Sequence, residues 1–127
     1  MSTKKYLDRN LSGAILREVN LRGANLSNIV FLGADLRGAD LRGSTLTNTF
    51  FTGGANLQKA DLRGARMDGT FFTNADLRNA DLRGATLTKG SLESANLSGA
   101  KIDGLVMDAF LCKTIMPDGK VRNDNCP

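Results

Sequence analysis

Few residues in this chain could do covalent chemistry. It has no histidine, so neither a Ser-His nor a Cys-His pair can form. Serines and threonines are plentiful but have no base to activate them. The two thiols, Cys112 and Cys126, share the C-terminal tail and are at most half of a tetrahedral zinc site. The charged groups recur as Asp-Leu-Arg triplets at 35–37, 40–42, 61–63, 76–78 and 81–83. Aspartates can move protons and arginines can grip phosphates, yet none of these acids forms an isolated pair. Each occupies a repeated position with a structural use. The glycines recur as punctuation rather than leading into a helix, which excludes a phosphate-binding loop. The chain is therefore expected not to be an enzyme, with no catalytic residue, no cofactor and no metal.

What positions these residues is a period of five. Ala34 to Gly43 reads Ala-Asp-Leu-Arg-Gly twice, and close variants run from Arg9 to Ala109. The centre of each five is apolar: Leu11, Leu16, Leu21, Leu26, Phe31, Leu36, Leu41, Leu46 and Phe51. After one extra residue, placed at Gly54, the series continues from Leu57 and Leu62 to Ile102 and Met107, twenty centres in all. Five fits neither a 3.6-residue helix nor a two-residue alternation. A chain that turns a corner every five residues satisfies it, with each centre pointing inward. Two residues before the centre, Ala recurs at twelve of the twenty repeats, as in Ala34, Ala39 and Ala60, suiting a crowded inner corner. Two residues after it stands Gly or Asn, as in Gly38 and Asn48, which tolerate the backbone angles of tight turns.

The motif A-(D/N)-L-X-X resembles that of the pentapeptide repeat family. The resemblance implies an all-β fold, a right-handed quadrilateral β-helix with four repeats per coil and about five coils. At sheet spacing of roughly 4.8 Å per coil the rod is about 24 Å tall. The expected organisation is an N-terminal cap at 1–8, where Tyr6 and Leu7 could lie over the first coil, then the repeats at 9–109. A C-terminal cap follows at 110–127, where Phe110, Leu111, Ile115 and Met116 could cover the last coil. The stretch Leu111 to Gly119 resembles the caps of cyanobacterial members. A disulfide between Cys112 and Cys126 would close a loop of about 15 residues and add roughly 3 kcal/mol. Two unpaired thiols are the competing reading.

With four repeats per coil, every fourth centre shares a face. The first face collects Leu11, Phe31, Phe51, Phe72 and Leu92, so Phe31, Phe51 and Phe72 form a buried aromatic ladder. Thr49-Phe50-Phe51-Thr52 recurs as Thr70-Phe71-Phe72-Thr73, one coil plus one residue later, which points to a bulge at Gly53-Gly54 with the register kept. The second and third faces carry arginine columns beside Asp/Asn columns. They could track phosphates, but a solvated lattice of ion pairs is the favoured reading. The fourth face shows Thr45, Thr47, Thr86 and Thr88 and no chemistry.

One feature exceeds what the fold needs. On the first face the outward position before each centre reads Asn10, Val30, Phe50, Phe71, Ser91, where the family motif has Asp or Asn. Val30, Phe50 and Phe71, with Leu32, are expected to form an exposed apolar stripe. The leading expectation is a non-enzymatic scaffold or protein-interaction module, docking an unknown protein or a second copy of itself through this stripe. The family resemblance raises an alternative, a DNA mimic acting on DNA gyrase; that role asks for a strongly acidic surface, and the net charge here is +4. Direct nucleic-acid binding ranks lower still, because the repeats hold twelve basic against ten acidic residues. No small-molecule substrate is expected. No apolar run reaches membrane-spanning length. If Met1 is the natural start, the expected compartment is the cytoplasm. The paired cysteines would instead suit the periplasm or thylakoid lumen, had a leader been removed.

Overall fold

The computed structural model describes residues 9–127; the expected cap at 1–8, with Tyr6 and Leu7, lies outside the described residues. The described chain is a right-handed square solenoid without helices. Each letter of the repeat has a bond or a contact to account for it. The apolar centre donates its N–H to the following coil: Leu36 to the Asn56 carbonyl, Leu57 to Asp76, Leu77 to Asn96, each at 2.7 Å. The residue two further on does likewise, as Gly38 to Gln58 at 3.0 Å. The residue after that bonds back to the centre and closes the corner, as Ala39 to Leu36 at 3.0 Å. The third residue of each such turn has positive φ, the signature of a type II turn. Gly38 (φ 68°) and Asn48 (φ 56°) adopt it readily, and Glu18, Lys59 and Lys89 are held there too.

The amide just after each centre faces no neighbouring coil. The Asp or Asn just before the centre bonds to it instead. Asp61 Oδ1 accepts from the Arg63 N–H at 3.2 Å, and Asn96 Oδ1 from Ser98 at 3.0 Å. This is an Asx turn, and it explains the second letter of the motif.

Centres and alanines fill the interior from Leu26 to Leu97, while those of the first and last coils are partly buried. Phe31, Phe51 and Phe72 stack almost parallel, with centroids 4.8 and 5.2 Å apart. On this face threonines stand where the others have alanine. Thr49 and Thr70 are buried, and their hydroxyls donate to the Leu26 and Leu46 carbonyls at 2.7 and 2.6 Å.

Parallel bridges join Val30 to Phe50, twenty residues on, and Phe50 to Phe71, twenty-one residues on. The extra residue is absorbed at the corner, where Gly53 (φ 61°) and Gly54 (φ 82°) both have positive φ. A Cβ on Gly53 would lie 2.3 Å from a Leu32 methyl, so the bare glycine leaves room for Leu32 to lie over the kink.

The winding runs past Ala109. Strand β1 (Thr86–Ser91) pairs in parallel with β2 (Val106–Phe110), with a register irregularity between Thr88 and Gly90. The next apolar centre, Leu111, follows Met107 after four residues instead of five. Leu92 then donates to the Phe110 carbonyl and Leu97 to the Ile115 carbonyl, so the tail adds two more faces. Leu111 and Met116 turn inward and are buried, whereas Phe110 and Ile115 join the outward columns, half-buried. At Pro117-Asp118-Gly119 the chain reverses, pairing β3 (Thr114–Ile115) with β4 (Val121–Arg122) in antiparallel fashion. Cys112 and Cys126 form a disulfide, and the side chains of Asn123 and Asn125 accept from the Lys113 and Leu111 amides.

Candidate interaction surface

The first face is built from apolar letters where the motif needs acceptors. Val30, Phe50 and Phe71 stand directly above one another in a bridged column. The Phe50 and Phe71 rings meet edge to face, centroids 5.3 Å apart. Phe50 is 37% and Leu32 49% exposed; Val30 and Phe71 are half-buried. Valine and phenylalanine cannot close an Asx turn. Among the described residues the amides of Leu32, Thr52 and Thr73 consequently have no side-chain acceptor, unlike those of Arg37, Arg42, Arg63, Arg78 and Arg83 on the second and third faces. The stripe thus combines apolar side chains with unclaimed outward N–H groups.

The charged faces are engaged with themselves. Arg42 holds Asp40 through Nε at 2.8 Å and Nη2 at 2.7 Å, and reaches Asp61 of the next coil at 3.6 Å. Arg63 repeats this with Asp61 and Asp81, at 2.6 and 3.7 Å. On the second face Arg17 and Arg37 converge on Asp35 at 2.9 and 2.7 Å, and Arg78 holds Asp76 at 2.7 Å. The hydrogen bonds from Arg37 and Arg42 hold the carboxyls of Asp35 and Asp40 down to about 2. Asp61, Asp76 and Asp81 are lowered for the same reason. A shallow cavity of about 300 Å³ on the second face is lined by Arg17, Glu18, Arg37, Gly38, Gln58 and Lys59. Two of its three cations are already committed to Asp35, leaving little charge for an outside anion.

Three exposed apolar residues escape a search for consecutive stripes: Ile15 (72% exposed), Val106 and Val121. Ile15 and Val106 each replace the Asp/Asn before a centre. A search for every departure from that letter would have found them. Among the described residues, no helix is long and apolar enough to cross a membrane.

A square β-solenoid with Asx-turned corners is a class of protein in its own right. Residues 14–53, 55–93 and 75–107 match the sequence family of pentapeptide repeats, in eight copies. The chain belongs to the pentapeptide repeat family. Among solved structures it is similar to a pentapeptide repeat protein of the Arabidopsis thaliana thylakoid lumen, at 31% identity and TM-score 0.70, covering 76% of this chain and 68% of that one. It is also similar to HetL, a pentapeptide repeat protein involved in heterocyst differentiation regulation in the cyanobacterium Nostoc. There the identity is 34% and the TM-score 0.53, over 89% of this chain but only 51% of HetL. Likeness to QnrB1, a plasmid-mediated fluoroquinolone resistance protein, is at 23% identity and TM-score 0.55, over 77% of this chain and 63% of that one, and extends to the fold alone. No curated protein sequence matches the chain.

Proposed function

We propose that this chain is a non-enzymatic docking module whose first face receives another protein. The observation that carries this reading is the column Val30-Phe50-Phe71 with Leu32, which replaces turn-closing Asp/Asn by apolar groups that leave neighbouring amides unclaimed. The edge-to-face contact of the two rings offsets part of the lost Asx bond, but Phe50 and Leu32 still leave apolar surface in water, which a purely structural repeat does not require. The stripe is nearly uncharged, so a partner would bring apolar side chains and backbone or side-chain acceptors.

The double variant Phe50→Ser, Phe71→Ser tests this. Serine can close an ST turn, so the fold should be kept. The expected result is loss of a co-purifying partner, or a fall in light-scattering mass if the face self-associates. Unchanged mass together with unchanged partner recovery would remove the reading.

The DNA-mimic alternative draws on the family resemblance, but the surface chemistry opposes it. A mimic of duplex DNA displays unpaired acids, whereas here the lattice acids are each held by arginine and the net charge is +4. The Cys112–Cys126 disulfide, together with the similarity to a thylakoid lumen protein, supports an oxidising compartment as the place of work.

A further inference from the structure

The C-terminal end of the solenoid is only half covered. Above the second face the chain's own tail continues the ladder. The Ile115 N–H donates to the Ala95 carbonyl at 3.0 Å, and its C=O accepts from Leu97 at 2.7 Å. The Pro117 carbonyl accepts from Gly99 at 3.0 Å, with Met116 buried between them. The turn at Pro117-Asp118-Gly119 then carries the chain off the axis before it can cross the third face.

The third face is therefore left without a next coil. The amides of Ile102 and Gly104 and the carbonyl of Ala100 hold the places that Leu97, Gly99 and Ala95 hold one face earlier. No described residue bonds to them, nor to the Leu105 carbonyl around the next corner. Ile102, Leu105 and Met107 are only partly buried and Val106 is exposed. Over Ile102 lies a cavity of about 340 Å³, lined also by Met116, Pro117, Asp118, Lys120 and Arg122. An unpaired sheet edge beside an apolar recess is a template for another strand.

We propose that this open half-end binds an extended segment of a separate polypeptide by strand addition. The chain's own Ile115-Met116-Pro117 shows the chemistry required. One residue of the segment donates its N–H to Ala100 and accepts from Ile102. The next places an apolar side chain of leucine size over Ile102. The one after accepts from Gly104. The segment runs parallel to the coil beneath it; its backbone supplies affinity and the recess supplies selection. Pro117, Asp118, Lys120 and Arg122 line the recess together with Ile102 and Met116, so the chain's own turn stands beside the proposed strand. This surface is separate from the first-face stripe and does not depend on it.

The test uses the full chain, disulfide intact and isotopically labelled. It is titrated with a blocked decapeptide copying Ala34 to Gly43, and with the same peptide N-methylated at both Asp residues. The expected result is slowed hydrogen exchange at the Ile102 and Gly104 amides with the first peptide, and about tenfold weaker binding of the methylated one. Ile102→Asp is expected to abolish the effect while leaving amide shifts from Leu26 to Leu97 in place. If that variant does not fold, the comparison of the two peptides on the natural chain decides. The proposal is overturned by no response at millimolar peptide, or by equal binding of both peptides. It is also overturned if these amides are already protected in a chain that sediments as a dimer, which would put a second copy there.

Discussion

An aspartate before a central leucine uses one side chain twice. Asp61 Oδ1 closes its own turn on the Arg63 amide, while both its oxygens hold the Arg63 guanidinium. The two roles separate by substitution. Asn keeps the turn acceptor and loses only the partly exposed ion pairs to Arg63 and Arg42, so Asp61→Asn is expected to stay within about 1 kcal/mol of the natural stability. Asp61→Ala loses the acceptor as well and should fall roughly 1 kcal/mol further. Equal losses in denaturant melts would mean that the turn bond contributes nothing. The same carboxylates set the acid limit. Asp35 and Asp40 drop from 3.8 to about 2 on folding, so between those values the unfolded chain binds more protons than the folded one. Their contribution is complete above about pH 4 and is lost as pH falls toward 2. A midpoint that rises on acidification through this window would contradict the pairing.

Corners, not strands, are the working elements of this fold, and their glycines are not equivalent. At Gly64 the only demand is a positive φ of 68°, with open space where a Cβ would go. Gly64→Ala should cost about 1 kcal/mol. Gly90 has ordinary φ, but a Cβ there would sit 2.1 Å from the Thr70 carbonyl oxygen, which is backbone and cannot swing away. Gly90→Ala is expected to cost roughly 2–3 kcal/mol, and a ranking reversed in chemical denaturation would refute the distinction. The Gly90 demand comes from a neighbour one coil away and leaves no mark in the five-letter pattern. Other parts were plain in the sequence because they repeat. Leu36, Leu57 and Leu77 announce an inner column, and the recurrence of Thr-Phe-Phe-Thr fixes the register across Gly53-Gly54. The continuation through Leu111 and Met116 was hidden by a single missing residue between Met107 and Leu111, which breaks the count without breaking the ladder. Val30, Phe50 and Phe71 were legible as departures from Asp/Asn. The open edge over Ile102 was not, since it depends on where the Pro117 turn sends the chain.

At the scale of the whole molecule, stability lives at the interfaces between coils, so the ends govern the rest. The outermost turns have a neighbour on one side only, and fraying there removes support from the next coil in. At the C-terminal end the tail segment Phe110 to Pro117 covers Leu92 and Leu97, and the disulfide ties its beginning, Cys112, to the last residues of the chain. Opening that link should therefore act beyond the tail. The closed loop of about 15 residues is worth roughly 3 kcal/mol in the unfolded-chain entropy account. Reduction by a dithiol is expected to lower the melting temperature of the entire rod in one transition, and Cys126→Ser to lower it by the same amount. The variant should then be insensitive to the reductant. Hydrogen exchange should accelerate first at Leu92 and Leu97 and last at Leu41 and Leu62. A separate low-temperature transition confined to the tail, with the coils unmoved, would show that the cap rides on the solenoid without supporting it.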